Sequence, residues 1–254
     1  MTDPFAYLIL FLAGIVAGTL NVIAGGGSFL TLPILIFLGL PAITANGTNR
    51  VGILLQNIGA VWRFHRYRVV TWRSLLWAAL PAAAGSILGV WIAFRVGDAA
   101  FQRILAALMV LLTLWTLWDP LKKRSRIVSE TETSLDNVGG PFVFLAFFFV
   151  GIYGGFVQAG VGFLILAVTT MAGLDLVRGN AVKVLCILVF VFLSLALFAW
   201  NGQVEWLPGI ALGIGTTIGG QIGAHLTVLK GHGWIKNVVT VTVLIFALKL
   251  WFAS

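Results

Sequence analysis

The chain has 254 residues, of which 60% are apolar and only 9% are charged, and its mean hydropathy is +1.05. A water-soluble fold of this length could not bury so many apolar side chains and still cover its surface with polar ones. Soluble enzymes, nucleic-acid-binding proteins and disordered scaffolds are therefore poor interpretations, and the net charge of +8 fits basic cytoplasmic loops better than a nucleic-acid partner.

The apolar residues form unbroken runs, such as 142–150 and 184–199, and do not alternate with polar residues as the strands of a membrane barrel would. The sequence therefore predicts an all-α integral membrane protein embedded in the lipid bilayer. In chain order the predicted apolar segments are 5–23, 28–40, 49–65, 73–94 and 101–118, then 141–157, 163–174, 182–200, 206–228 and 234–252. The polar stretch between these sets divides the chain into a first membrane repeat (1–118), a linker (119–140) and a second membrane repeat (141–254).

The two halves resemble each other in sequence. The Gly-x-x-x-Gly pattern at 14–18 recurs at 151–155, an offset of 137, and the pattern at 85–89 matches 219–223 at an offset of 134. Several further matches follow in the same order with nearly the same offset, which chance does not produce. The sequence predicts two repeats of five apolar segments each.

The basic residues predict how these repeats lie in the membrane. Four arginines flank the loop between the third and fourth segments and place it in the cytoplasm: Arg63, Arg66, Arg68 and Arg73. The equivalent loop, 201–205, has no basic residue and is expected outside, whereas Lys230, Lys236 and the basic linker are expected inside. The two repeats are then inverted relative to each other, and both chain ends face outward.

Two of the segments, 28–40 and 163–174, are too short to span a bilayer comfortably, and each follows a glycine-rich stretch. Paired short segments at matching positions of inverted repeats indicate broken or re-entrant helices that form a transporter binding site near the bilayer midplane. Backbone N–H groups exposed at such breaks favour an anionic ligand. The predicted substrate-binding residues are Asn21, Gly25, Gly26, Gly27, Ser28, Asn46, Asn49 and Arg50 in the first repeat, and Gln158, Gly160, Gly162, Asn180 and Lys183 in the second.

Arg50 and Lys183 sharpen this prediction, because each opens a long apolar segment at an equivalent position of its repeat. A charge in the bilayer is costly unless it faces a partner or an aqueous cavity. The alternative is that both side chains lie at the membrane interface and extend their charges into water.

Catalytic chemistry finds little support in the sequence. The three histidines lie far apart without metal-ligand spacing, and the apolar segments contain no paired carboxylates or nucleophile motif. Cys186 is the one cysteine, so an internal disulfide is impossible. We expect no enzymatic activity, no metal and no cofactor.

The motifs themselves are recognisable. Asn21-Val-Ile-Ala-Gly-Gly-Gly-Ser-Phe-Leu-Thr-Leu-Pro33, with Ala45-Asn-Gly-Thr-Asn-Arg-Val51 after it, resembles the sulfite exporter family TauE/SafE, and 154–162 and 179–183 resemble that family's second motif. The resemblance covers nearly the whole chain and implies a multi-pass permease of the bacterial inner membrane. Its implied substrates are small sulfur-containing anions such as sulfite or organosulfonates, and in some members other organic anions.

Two functional interpretations stay open at this point. The first is an alternating-access carrier of a small anion, and the second is an anion channel or membrane scaffold in which Arg50 and Lys183 are structural. A membrane enzyme is less well supported, and the chain could form a homo-oligomer. The sequence leaves the transported anion, the direction of net transport and the coupling ion open.

Overall fold

The computed structural model describes residues 4–24, 26–66, 75–118, 140–174 and 176–230. Residues 119–139 of the predicted linker, the predicted last segment (234–252) and Gly25 lie outside these residues. Within them every regular element is a helix, which confirms the all-α prediction.

Five α-helices make up the described part of the first half: α1 (Pro4–Ala24), α2 (Ser28–Phe37), α3 (Ala42–Arg66), α4 (Leu80–Arg95) and α5 (Asp98–Trp118). A π-helical turn, Leu75–Ala79, leads into α4. Four α-helices make up the described part of the second half: α6 (Pro141–Phe156), α7 (Val161–Met171), α8 (Leu176–Trp200) and α9 (Trp206–Lys230).

The two predicted short segments are short helices. α2 has 10 residues and α7 has 11, so each is about 15–17 Å long, roughly half the thickness of the hydrocarbon core. Among the described residues, three stretches are both long and apolar enough to cross a membrane: Pro4–Val22, Leu76–Arg95 and Arg178–Trp200. The described chain therefore combines spanning helices with half-length apolar ones, as expected of a protein with broken helices.

The third helix of each half is longer than the sequence predicted. α3 begins at Ala42 rather than 49, and α8 begins at Leu176 rather than 182. Asp98 explains the early start of α3, since its Oδ1 accepts a hydrogen bond from the backbone N–H of Ile43 at 2.8 Å in the first turn. The polar stretch 46–50 therefore lies on a helix and not in a turn.

Glycines bring four helices into direct backbone contact. The helices form two pairs, and in each pair the two helices run parallel. α1 packs along α9, where a Cβ at Gly18 would lie 2.2 Å from the carbonyl oxygen of Thr216. α4 packs along α6, where a Cβ at Gly155 would lie 2.1 Å from that of Ser86. Real Cβ atoms do not approach so closely, so only glycine fits. The first helix of each half thus packs on the fourth helix of the other half.

These contacts correct one match made from the sequence. Gly85 and Gly89 meet the carbonyls of Phe148 and Ile152 on α6. The glycines that meet the equivalent carbonyls of α1, those of residues 11 and 15, are Gly215 and Gly219. The pattern at 85–89 therefore corresponds to 215–219 and not to 219–223, because helix packing repeats every four residues and the sequence alone left the register ambiguous by one turn.

The third helices of the two halves cross in the centre of the bundle and run antiparallel. Gly47 near the start of α3 packs against Phe198 near the end of α8, and Arg50 further along α3 bonds to Ser194 earlier on α8. Large apolar side chains such as Phe149 and Phe192 are exposed on the outside of the bundle, where lipid would cover them. Among the polar residues singled out in the sequence, Asn46, Asn49, Arg50, Gln158 and Lys183 are buried, and Asn21, Ser28 and Asn180 are half-buried.

Candidate functional site

The start of α2 borders a small cavity, which we call the α2 cavity. Its volume is ≈ 10 Å³, about the room that one water molecule needs. The apolar part of its lining comes from Ala17, Gly27 and Ile53, and the polar part from Asn21, Ser28, Thr31, Asn49, Gln56 and Thr216. The cavity therefore lies where the break after α1 meets α3 and α9.

Gly27 allows the chain to form this cavity. A Cβ at Gly27 would lie 2.3 Å from the carbonyl oxygen of Ala17, so only glycine lets α2 begin directly against α1. The first N–H groups of a helix have no partner within the helix and carry its positive partial charge. Gly27 is the N-cap of α2 and has no side chain to accept them, while the N–H groups of Phe29 and Leu30 donate to the carbonyls of Gly26 and Gly27 at 3.1 and 3.0 Å. The positive end of α2 thus adjoins the cavity.

Neutral side chains form the hydrogen bonds around the cavity. Thr31 donates to Oδ1 of Asn49 at 2.6 Å, and Nδ2 of Asn21 donates to Oε1 of Gln56 at 3.0 Å. Nδ2 of Asn49 is buried and has no hydrogen-bond partner among the described residues. A buried donor without a partner is unusual, since most such groups in proteins are satisfied. Asn49 therefore offers its donor to a ligand that accepts hydrogen bonds.

Arg50 lies in a separate network at the end of α6. The side chain is fully buried, and its Nη1 donates to Oε1 of Gln158 and to Oγ of Ser194, both at 2.7 Å. Nη1 also donates to the carbonyl of Gly154 at 3.1 Å, and Nη2 donates to that of Gly155 at 2.6 Å. These two carbonyls belong to the last turn of α6, so the guanidinium caps the negative end of that helix.

Backbone and side-chain dipoles and an aromatic ring stabilise the positive charge of Arg50. Its Cζ lies 4.7 Å from the ring centroid of Phe198, a cation–π distance. Among the described residues no carboxylate contacts the guanidinium, and its Nε has no hydrogen-bond partner. Arg50 was predicted to bind a substrate, but its guanidinium is bonded by the protein itself. In the described part of the chain the charge of Arg50 has no ionic partner.

The break between α6 and α7 is conformationally unusual. Gln158 has a φ of +67°, which non-glycine residues seldom adopt, and Gly160 follows with a φ of +72°. Asn46 reaches this break from α3, where its Nδ2 donates to the carbonyl of Phe156 at 2.7 Å. Nε2 of Gln158 and Oδ1 of Asn46 have no partner among the described residues. Two further amide groups are therefore available beside Arg50.

The break between α1 and α2 and the break between α6 and α7 are brought together by the first turns of α2 and α7. The rings of Phe29 and Phe163, in the first turns of α2 and α7, stack with centroids 6.5 Å apart. Gly26 packs on the same ring, since a Cβ there would lie 3.2 Å from Phe163, and Gly162 is buried beside it. The glycine-rich stretches of the two halves are thus brought together.

Lys183 is buried on α8, with 7% of its surface exposed, and within the described part of the chain its ammonium forms no hydrogen bond or ion pair. Asn180 lies one turn earlier on the same helix and is half-buried. The described residues also contain no group of three or more His, Cys, Asp or Glu that could hold a metal ion.

The sequence profile of the sulfite exporter TauE/SafE family matches residues 10–250. The chain belongs to this family. A probable membrane transporter protein of Haemophilus influenzae is 29% identical over 244 residues, which cover 95% of this chain and 93% of that protein. The probable membrane transporter proteins YfcA of Escherichia coli K12 and YunE of Bacillus subtilis are 28% and 24% identical, covering 100% and 87% of this chain and 93% and 88% of their own lengths. No solved structure matches the chain.

The TauE/SafE assignment confirms the family expected from the motifs and makes the chain a multi-pass membrane transporter. Sequence reasoning missed several residues at its two polar sites: Thr31, Gln56 and Thr216 at the α2 cavity, and Ser194 and Phe198 around Arg50. Gln56 could have been found, because an amide in the middle of a long apolar helix needs a polar partner. The hydroxyls could not, since Ser and Thr also bond to their own helix backbone and occur throughout apolar helices.

Proposed function

We propose that this TauE/SafE transporter carries small sulfur-containing anions, such as sulfite or organosulfonates, by alternating access to a site at the two helix breaks. The observation that carries this proposal is the unpartnered Nδ2 of Asn49, buried in the lining of the α2 cavity beside the positive end of α2. A buried donor without a partner, on a residue that lines a cavity at a helix N-terminus, favours an oxyanion.

The buried cations support an anionic substrate as well. Arg50 is fully buried and Lys183 nearly so, and neither forms an ion pair with the described residues. Removing a charge from water is costly unless an opposite charge or several hydrogen bonds compensate it. A bound anion would supply the missing negative charge, with Asn49 as its direct ligand and Arg50 acting through its field.

The α2 cavity has room for about one water molecule, so an oxyanion needs α2 to move away from α3. Alternating access would provide this movement. The antiparallel course of α3 and α8, which are equivalent in the two repeats, supports an inverted arrangement of the halves in the membrane. We infer that both chain ends face the periplasm, with the linker in the cytoplasm and the chain in the inner membrane.

The experiment is uptake of a radiolabelled sulfonate into liposomes that contain the purified protein, with unlabelled sulfite as competitor. We expect saturable uptake that sulfite inhibits. A binding screen against sulfite, thiosulfate, sulfoacetate, taurine and simple carboxylates then identifies the anion. Uptake that rises linearly with concentration would indicate a channel, and inhibition by carboxylates alone would indicate a transporter of other organic anions.

A further inference from the structure

The same turn of the first helix has different surroundings in the two halves. It lies in the last turn of α6, which ends at Phe156, but inside α1, which continues to Ala24. The matched glycine contacts equate the turn at Gly154 and Gly155 on α6 with the turn at Ala17 and Gly18 on α1. On α6 each of these two carbonyls accepts one hydrogen bond from the guanidinium of Arg50. On α1 no cation is present among the described residues.

At the α1 turn, the carbonyl of Gly18 accepts one long hydrogen bond, 3.4 Å, from the neutral amide of Gln56. Ala17 borders the α2 cavity. One half of the molecule therefore has a cavity at this turn, and the other half has a fixed positive charge.

The carbonyl end of a broken helix attracts cations because its last C=O groups lack partners and carry the negative end of the helix dipole. In transporters built on inverted repeats, such ends commonly coordinate a mobile cation such as Na⁺. The groups around the end of α6 suit a cation. Carbonyl, amide and hydroxyl oxygens approach it within 3.1 Å, and the face of Phe198 lies 4.7 Å away.

We propose that Arg50 is a tethered cation, which permanently occupies a cation site at the end of α6, and that it is a positioning residue and not a direct ligand of the anion. The inference rests on the proposed function in one respect, since the fixed charge then serves as counter-charge for the transported anion. It implies that the site accepts a free cation of the same shape once the side chain is removed.

The test uses the full-length protein with Arg50→Ala and guanidinium chloride at low millimolar concentration. Guanidinium should raise the Tm of Arg50→Ala by about 5–10 °C at saturation, because ligand binding to the folded state stabilises it. Tetramethylammonium, which cannot donate hydrogen bonds, should not. The matched control is Arg95→Ala, because Arg95 is an exposed arginine that stacks on Trp91 at 4.2 Å and its removal leaves no cation site. Guanidinium should leave its Tm unchanged.

Arg50→Lys is the second variant. Its ammonium keeps the charge but lacks the planar fork, so its Tm should lie between those of the wild type and Arg50→Ala, with no response to guanidinium. If Arg50→Ala does not accumulate, the lysine variant carries the test. Equal loss of protein in both variants would show that the shape of arginine matters and its charge does not, and would overturn the proposal.

Transport separates this proposal from the proposed function. Guanidinium should restore both the Tm and the anion uptake of Arg50→Ala. A restored Tm without anion uptake, in a protein whose wild type also fails to carry anions, would leave the tethered cation standing and overturn the proposed substrate. A Tm of Arg50→Ala that guanidinium does not change would overturn the tethered cation, even if the wild type carries sulfite.

Discussion

Asn49 provides the sharpest test of the α2 cavity, because one atom of its side chain is bonded and the other is not. Oδ1 accepts the hydroxyl of Thr31 at 2.6 Å, and Nδ2 has no partner among the described residues. Replacing Asn49 by alanine removes both atoms. Replacing it by aspartate keeps an acceptor for Thr31 and removes both donor hydrogens.

The expected magnitude follows from the hydrogen bond that Nδ2 would donate to a charged oxygen. Such a bond contributes ~1.5–3 kcal/mol, so Asn49→Ala should weaken sulfite binding about 10- to 150-fold. Asn49→Asp should weaken it further, because two like charges ~4 Å apart repel each other by ~4 kcal/mol near a protein surface. Asn49→Ala should also lower the free energy of unfolding by ~1–3 kcal/mol, since the hydroxyl of Thr31 loses its acceptor.

Asn57 supplies the matched control on the same helix. It is as well buried as Asn49, but its Nδ2 donates to the carbonyl of Ile53 at 2.8 Å and it does not line the cavity. Asn57→Ala should lower stability without changing affinity. The assay is calorimetric titration of sulfite into each purified variant, together with its Tm. Wild-type affinity in both Asn49 variants would refute the assignment of the cavity as the anion site.

Three further predictions concern the second cation, the helix contacts and the topology. Lys183→Ala should weaken anion binding by ~2–5 kcal/mol if the ammonium is desolvated against the anion, and calorimetry that shows unchanged affinity with a lower Tm would make Lys183 structural. Gly155→Val should prevent stable folding, because its side chain would meet the carbonyl of Ser86, whereas Gly59→Ala, with no atom within 4 Å, should keep the wild-type Tm or raise it slightly. In a Cys186→Ser background, an impermeant thiol reagent added to intact cells should label Ser254→Cys and not Ser129→Cys, and the opposite result would contradict the inverted arrangement.

Most of the fold could be predicted because the bilayer imposes strong rules on composition and length. The short helices α2 and α7 were predictable from the spacing between the glycine-rich stretches and the next polar residues. The start of α3 was not, because it depends on a tertiary contact: Asp98 bonds to the N-terminus of α3 from 55 residues further along the chain. A polar run such as 46–50 reads as a turn until its partners are known.

The sequence proposes a set of site residues but does not predict how they are arranged. Asn49 and Arg50 are neighbours in sequence, and on a helix neighbours point about 100° apart, so the two side chains reach different places. The sequence marks both as unusual in an apolar segment and cannot say which of them faces a cavity. Which side chain faces the cavity depends on two tertiary contacts. Gly27 lets α2 pack on one side of α3, and the carbonyl of Gly154 at the end of α6 accepts a hydrogen bond from Arg50 on the other side.

In the proposed mechanism the charge that attracts the anion belongs to Arg50, and the direct contact with the anion belongs to Asn49. This separation has a consequence for transport. If an arginine were the main ligand of the anion, each release would leave a buried guanidinium unpaired, at a cost on the order of several kcal/mol. Arg50 keeps its four hydrogen bonds to the α6–α7 break and to Ser194 whichever groups surround Asn49. Only neutral donors such as Nδ2 of Asn49 then lose a partner when the anion leaves, and a neutral donor costs far less to leave unpaired than a charge. In the proposed mechanism, a fixed, internally bonded cation would therefore attract an anion into the bundle without making its release prohibitively slow, as a carrier that must empty its site in every cycle requires.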